Sequence, residues 1–397
     1  MKTAAIIAEY NPFHNGHKYH IEQTRKLTGA THVTVVMSGN FTQRGDVAIV
    51  PKHIRTKAAL EGGADLVVEL PVAFALSSAE QFATGAVQIL NALGNIDVVS
   101  FGSECGNVEL LKEAAGAVHY AQTTDEFYSA IKLGRSYPAA LQSAVEAYYT
   151  DDVVDILTTP NNTLAVEYIK ALNESGSNIV PFTLNRIGAA HDSHVADVAT
   201  ADTPYASASQ VREMLLQGKD VSALTPMLQE PLQLAEIKRL EVAILARLRT
   251  MTVKDIARAP GVRGGLDGRI FKAVRAARSL SELYFLAKCK SSTMARIRRA
   301  VLCCFLGITQ SDVKHGAQYI RILGMNDRGK EILAGASDTL PIDTSLRKLM
   351  NAGSSARRQA LLEERATNIY ALAFEQRGIC GREFTEKAVI LSLEETS

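Results

Sequence analysis

The chain has 397 residues, 47% of them hydrophobic and 21% charged, with a mean hydropathy near zero. This is an ordinary soluble globular composition with length for two or three domains, and no stretch approaches the roughly 18 apolar residues of a membrane span. The net charge of +1 hides a division: residues 1–200 carry 13 Lys+Arg against 21 Asp+Glu, a net −8, and residues 201–397 carry 30 against 21, a net +9. The basic half suggests an anionic partner, nucleic acid first among them; a solvated helical surface without a partner is the plain alternative.

The first apolar run, Ala4 to Ala8, stops at Glu9 and is too short for a signal peptide. The five cysteines form no C-x-x-C pair and read as reduced core thiols, so a cytoplasmic protein is expected.

The first hundred residues alternate between two patterns. "TAAIIAEY" is a short apolar strand and Asn15 to Leu27 has helical spacing. Thr31 to Gly39 is β-branched. "VPKHIRTKAALEGG" is a helix opened by Pro51 and closed by Gly62. "ADLVVELP" is a strand, "SSAEQFATGAVQILNALG" a Ser-capped helix, and "IDVVSFGSE" a strand again. Alternating strands and helices, with strands apolar enough to be covered on both faces, predict a parallel sheet. Ligands of such sheets bind beyond the carboxyl ends of the strands, here "EYNPFHNGH", "SGNFTQRGD", "ELPVAF" and "FGSECG".

Further on, Thr158 to Leu172 is a polar turn entering an amphipathic helix, and Pro181 to Ser193 contains a strand-like run that reaches Arg186 and Gly188. "TPYASASQVREMLLQG" is a Ser-rich turn opening a helix. From about Leu224 the strand signals fade. The expected architecture is therefore α/β, with a parallel-sheet, Rossmann-like domain over residues 1–225 and an all-α basic domain over residues 226–397.

Three of the nine histidines, His14, His17 and His20, fall within seven residues. Metal binding is one reading, but the i, i+4 pairing with a carboxylate of familiar zinc helices is missing, and no protein-ligated metal is expected. Surface or capping histidines are another reading. The nucleotide reading fits better, because His14-Asn15-Gly16-His17 lies where the first strand gives way to the first helix. Free amides at a helix N-terminus stabilise phosphate charge, and two imidazoles one turn apart add donors that can become cationic. Gly16 would let a ribose or base approach the backbone. A second phosphate-binding element is expected in "YASASQVR", with Ser207 and Ser209 at a helix start and Arg212 one turn on. Together they describe the two halves of a nucleotidyltransferase site.

"IIAEYNPFHNGHKYHI", "MSGNFTQRGDVAIVPKHIRTKAALEGGADLVVELP", "FGSE", "PNNTLAVEYIKAL" and "NRIG" closely resemble the bacterial tRNA(Met) cytidine acetate ligases across essentially the whole chain. Its H-x-G-H and S-x-x-x-x-R elements also resemble those of the wider nucleotidylyltransferase superfamily. The resemblance implies an enzyme that makes acetyl-adenylate from ATP and acetate. It then acetylates N4 of the wobble cytidine, position 34, of elongator tRNA(Met). It implies ATP contacts along Ile7, Ala8, Glu9, Tyr10, Asn11, Pro12, Phe13, His14, Asn15, Gly16, His17, Lys18, Tyr19 and His20. Gly102, Asn161, Asn162 and Arg186 follow, with Ser207 and Arg212 beside them. His14, His17 and Arg186 would be catalytic, Mg²⁺ would accompany ATP, and His20 would support the pair.

Ser38, Gly39, Asn40, Gln43 and Arg44 are assigned to the acetate or cytidine pocket. Lys288, Lys290, Arg296 and Arg299 are assigned to tRNA phosphates. The resemblance also leads one to expect an aromatic residue near Ser292, and this chain has none there. No residue identifies itself as the proton acceptor of acyl transfer. Two rivals remain: a same-fold enzyme that adenylylates a small metabolite, which leaves the basic half unused, and a non-catalytic nucleotide-dependent RNA-binding protein, which makes the paired histidines superfluous.

Overall fold

The computed structural model describes residues 1–185, 205–228 and 232–392. Its centre is a mostly parallel sheet with helices on both faces. The strands are β1 (Thr3–Ala8), β2 (His32–Ser38), the short pair β3 (Phe41–Thr42) and β4 (Asp46–Val47), β5 (Leu66–Leu70), β6 (Val98–Ser103) and β7 (Val180–Asn185). From the second half come β8 (Ile320–Met325), β9 (Ile342–Asp343) and β10 (Val389–Ile390). The spatial order is β10-β8-β5-β2-β1-β6-β7, with β9 beside β8 and the β3-β4 hairpin apart.

Strands β5, β2, β1, β6 and β7 are mutually parallel. The chain builds outward from β1 through β2 to β5, then returns to place β6 on the other side of β1. That reversal opens a crevice at the carboxyl ends of β1 and β6, where open α/β sheets bind ligands. Strands β2 and β5 are buried along their whole length, as strands covered on both faces should be. The expected helices are found as Asn15–Thr28, Lys52–Glu61, Ala79–Leu93 with Ser78 as its cap, and Pro160–Glu174.

Beyond residue 236 the chain is mainly helical, including Glu241–Arg249, Leu266–Ala276, Leu280–Ala287, Met294–Leu306 and Ser354–Tyr370. The all-α expectation for residues 226–397 requires a correction, because β8 adds antiparallel to β5 and carries β10 on its other side. The sheet thus draws on both sides of the boundary expected near residue 225. The physical reason is an ionic cluster. Lys52 Nζ lies 2.5 Å from Glu69 Oε1 on β5 and 2.5 Å from Glu383 Oε1. Arg321, the second residue of β8, pairs with the same two carboxylates and donates to the Glu383 carbonyl at 3.1 Å. All four side chains are buried. Each half brings one cation and one carboxylate to the cluster, and the four are buried together.

Glu363 lies against this cluster, and its Oε1 accepts the Val72 N–H at 2.7 Å. Burial, and then the Glu69 charge, push its carboxyl well above the usual carboxylate range. Lys52 and Arg321 are then balanced by Glu69 and Glu383, with Glu363 neutral. Among the described residues no helix is long and apolar enough to cross a membrane.

A raised carboxyl pKa means that, above the unfolded value of about 4.3, the native state holds a proton that the unfolded chain has released. Stability therefore falls as pH rises through that window. Glu363→Gln keeps an oxygen for Val72 and avoids this loss. Urea midpoints measured between about pH 5 and pH 8 should show the variant gaining on the wild type with rising pH, by at most about 1.4 kcal/mol per pH unit. A pH-independent difference would show that Glu363 is ionised in the fold.

Candidate active site

After β1 the chain must turn sharply into its first helix. Tyr10 takes a positive φ of 47° and the Asn11–Pro12 peptide is cis. His14 is the N-cap residue in extended conformation. Its Nδ1 accepts the Gly16 N–H at 3.1 Å, while His17 Nδ1 accepts the His14 N–H at 3.2 Å. This is a capping box made of two imidazoles. Because each Nδ1 is an acceptor, both rings are neutral Nε2–H tautomers. They stack with centroids 3.7 Å apart, a poor arrangement for two cations. Tyr10 and Phe13 pack on the His17 ring at 4.7 and 5.6 Å.

The histidine pair therefore supplies oriented donors, and the cationic form that imidazoles can take would break the cap. Gly16 also needs a different explanation. A Cβ there would lie 2.9 Å from His14 Cε1, so the group that approaches its backbone is the His14 ring. Asn15 is tied to the Ala223 and Leu224 carbonyls at 2.8 and 3.0 Å. His20 Nε2 meets Ser100 Oγ at 3.0 Å and docks the helix on β6. Ile7 and Ala8 complete β1, Tyr19 packs edge-on against Tyr205, and exposed Lys18 faces Glu22 across the helix surface.

Arg55 fixes the strand ends around this turn. It is fully buried, and its guanidinium donates to the carbonyls of Val50, Glu9, Ser38 and Gly39. Burial lowers its pKa to about 10, which leaves it charged at neutral pH. Glu9 Oε1 accepts the Gln43 N–H at 2.6 Å, which pins the β3-β4 hairpin to the end of β1. Asn11 Oδ1 accepts from Ile49 N, and the Asn11 carbonyl accepts from Arg212 Nη1 at 2.6 Å. Arg212 Nη2 donates to Ser209 Oγ, while Ser207 caps the Ala208–Leu216 helix. Two motifs some 200 residues apart thus meet at one turn.

Of the assigned substrate loop, Ser38, Gly39 and Asn40 are interior. Asn40 accepts the Lys52 N–H and donates to Thr367 Oγ1, so it joins the sheet to the second half. Gln43 and Arg44 form the hairpin tip, and Arg44 is exposed. Gly45, with φ 76°, lets the Met294–Leu306 helix touch the hairpin, for a Cβ would sit 2.6 Å from Arg298 Cβ.

Across the crevice, Gly102 ends β6. Glu104, two residues on, binds the side chain and N–H of Asn161, the N–H of Asn162 and the hydroxyl of Thr159. These donors hold its carboxyl below the usual range, although burial opposes them. Asn162 Oδ1 returns the contact by accepting from the N–H groups of Glu104 and Cys105. The "FGSE" and "PNNT" segments are thus locked together, a pairing with no sequence signal because the partners lie 57 and 58 residues apart. Arg186 lies outside the described residues.

The basic segment departs from its assignment. Arg296 donates to the Gly261, Arg263 and Ser291 carbonyls, and Arg299 to the Gln43 carbonyl at 3.0 Å. Both brace loops, because the helix begins at its Thr293 cap with that face turned inward. Lys288, Lys290 and Arg298 are exposed. Phe285, one turn before Lys288, is 76% exposed, which puts an aromatic ring within this basic surface despite its absence near Ser292.

A parallel sheet whose strand order reverses at β1, with H-x-G-H on the helix N-terminus that follows it, defines a nucleotidyl transferase fold. The HIGH Nucleotidyl Transferase family model matches residues 1–382. A tRNA(Met) cytidine acetate ligase of Acetivibrio thermocellus is 35% identical, covering 98% of this chain and 100% of its own length. One of Caldicellulosiruptor saccharolyticus is 36% identical over 95% of each chain. The crystal structure of Thermotoga maritima TmcAL bound with alpha-thio ATP superposes with a TM-score of 0.86 at 30% identity, over 99% of this chain and 100% of that one. The chain belongs to the tRNA(Met) cytidine acetate ligase family.

Gly45→Ala tests the contact between hairpin and basic helix. A left-handed alanine costs about 1–2 kcal/mol by itself, and its Cβ would collide with the Arg298–Arg299 backbone. Chemical denaturation should register a loss of about 2 kcal/mol or more. A neutral substitution would mean that the helix is not seated on the hairpin.

Proposed function

We infer that the protein is an ATP-dependent ligase that activates acetate as acetyl-adenylate and acetylates N4 of the wobble cytidine, position 34, of elongator tRNA(Met). The observation that carries this reading is the meeting of the imidazole-capped helix with Arg212 at the reversal point of the sheet, with a basic helix seated on the adjoining hairpin. Family membership supports it throughout, and the nucleotide in the Thermotoga maritima structure's title supports ATP as the co-substrate.

In the first step an acetate oxygen attacks the α-phosphorus and pyrophosphate leaves. Acetate is already ionised, so this step needs no base. The Nε2–H donors of His14 and His17 and the Arg186 and Arg212 guanidinium groups stabilise charge that grows on the phosphoryl oxygens. Gly102 and the Asn161–Asn162 turn form the opposite wall. Among the described residues no three His, Cys, Asp or Glu side chains cluster as metal ligands. Magnesium accompanying ATP would neutralise triphosphate charge.

In the second step the cytidine amine takes the acetyl group. We place RNA on the exposed Lys288, Lys290 and Arg298, with Phe285 as a stacking surface. Residues 1–225 carry the nucleotide chemistry and residues 226–397 the tRNA contacts, with β8 and β10 returning to the sheet. A cytoplasmic location suits the five free cysteines.

The test is to incubate the protein with ATP, acetate and unmodified tRNA(Met) and to assay N4-acetylcytidine by nucleoside mass spectrometry. Pyrophosphate release dependent on another acid would favour a metabolite-adenylylating enzyme, and tRNA binding without product a non-catalytic RNA binder. His17→Ala should lower acetate-dependent ATP–pyrophosphate exchange by about 10²-fold or more. Its loss of one cap bond should cost only about 1 kcal/mol of stability. Exchange at the wild-type rate would remove His17 from the mechanism.

A further inference from the structure

The acyl-transfer step must dispose of a proton. We propose that Glu9 is the general base that accepts the N4 proton of cytidine as the acetyl group is transferred; this inference rests on the ligase reading above.

The argument is first one of position. Glu9 follows β1 directly and precedes the nucleotide turn, so it lies at the carboxyl end of that strand. Its carbonyl is gripped by Arg55 Nη1 at 2.6 Å, which fixes the backbone from which the side chain projects. Its Oε1 is oriented by the Gln43 N–H. Gln43 in turn accepts from Arg299 of the basic helix. The carboxylate therefore lies between the turn assigned to the adenylate and the hairpin on which the RNA-facing helix rests. An amine approaching a bound acetyl-adenylate from the RNA side would pass this group.

The other carboxylates near the strand ends have different work. Glu104 is saturated by donors from Thr159, Asn161 and Asn162. Glu69 and Glu383 are neutralised by Lys52 and Arg321. Asp46, whose pKa burial also raises, accepts the N–H of Val47 within the hairpin and faces Arg212 and Arg298, whereas Glu9 directly joins β1 to the nucleotide turn.

The surroundings suit a base. Arg44 of the hairpin, Arg55 of the Lys52–Glu61 helix and Arg212 of the Ala208–Leu216 helix face Glu9, and Tyr168 approaches from the Pro160–Glu174 helix. Burial nevertheless outweighs the three arginines and the Gln43 N–H and raises its pKa above the ordinary glutamate value. A desolvated carboxylate is a stronger base than one in water. The step balances as follows. The N4 lone pair forms a bond to the acetyl carbonyl carbon, the bond from that carbon to the adenylate oxygen breaks, and AMP leaves with its electron pair. The N4 proton passes to a Glu9 carboxylate oxygen and from there to solvent.

Glu9→Gln preserves an oxygen for the Gln43 N–H and removes the basic group. Acetate-dependent ATP–pyrophosphate exchange reads the first step. Single-turnover transfer from enzyme-bound acetyl-adenylate to tRNA(Met), followed across pH, reads the second. Transfer should fall by at least about 10²-fold more than exchange. The wild-type transfer rate should decline on the acid side as Glu9 protonates, and the variant should lack that limb. Parallel loss of both steps would make Glu9 a nucleotide-positioning residue and overturn the proposal, as would a normal transfer rate or a wild-type profile without an acid limb. A wild type that exchanges pyrophosphate yet never forms N4-acetylcytidine would overturn the ligase reading as well.

Discussion

Arg55 is buried to the last atom, and its guanidinium donates to four backbone carbonyls, those of Glu9, Ser38, Gly39 and Val50. Burying an unpaired cation costs several kcal/mol, and here carbonyl dipoles provide the compensation in place of a carboxylate. The arrangement is geometrically demanding, because a planar fork with fixed donor directions satisfies these carbonyls only if the ends of β1 and β2 and the hairpin leave the sheet in one way. Lysine, with a single point charge on a flexible stem, would not impose it. The nucleotide turn and the Gln43 loop take their positions from this side chain, which itself need not touch a substrate.

The second constraint is the Lys52–Glu69–Arg321–Glu383 cluster, and it acts one helical turn from the first. Lys52 and Arg55 are three residues apart on one helix, so the same element organises the site loops and anchors β8. That coupling gives the antiparallel strand its purpose. Residues 237–314 leave the sheet to form the helical surface, and β8 brings the chain back to share one buried ion cluster with Lys52 and Glu69. Seating of the Met294–Leu306 helix against Gly45 then follows from a closed circuit rather than from a flexible linker between independent domains.

What was legible in the sequence follows from how far apart the interacting residues are. Strands β1, β2, β5 and β6 announce themselves because both faces are covered and their residues are uniformly apolar. The caps at Ser78 and Ser207 are local, and so is H-x-G-H. β8 is harder to read: "IRILGM" is short, carries an arginine at its second position and sits among helices. The arginine makes sense only beside its carboxylate partners, Glu69, 252 residues earlier, and Glu383, 62 residues later. The Glu104–Asn162 lock and the Glu9–Gln43 contact are similarly nonlocal. Arg296 and Arg299 misled for a related reason, since a basic run shows charge but not which guanidinium groups are already occupied by neighbouring carbonyls.

The histidine pair shows how the same residues support a sharper chemistry than their spacing suggests. Two Nδ1 acceptors facing backbone amides hold both rings neutral, so positive charge at the turn comes from Arg212, whose approach is secured by the Asn11 carbonyl. A site built this way does not depend on imidazole protonation to meet a polyanion. It also separates two tasks that a pair of imidazolium groups would have confused. Fixed donors on the turn stabilise phosphate charge, while proton transfer is left to a group whose basicity is set independently, by burial, at the neighbouring strand end.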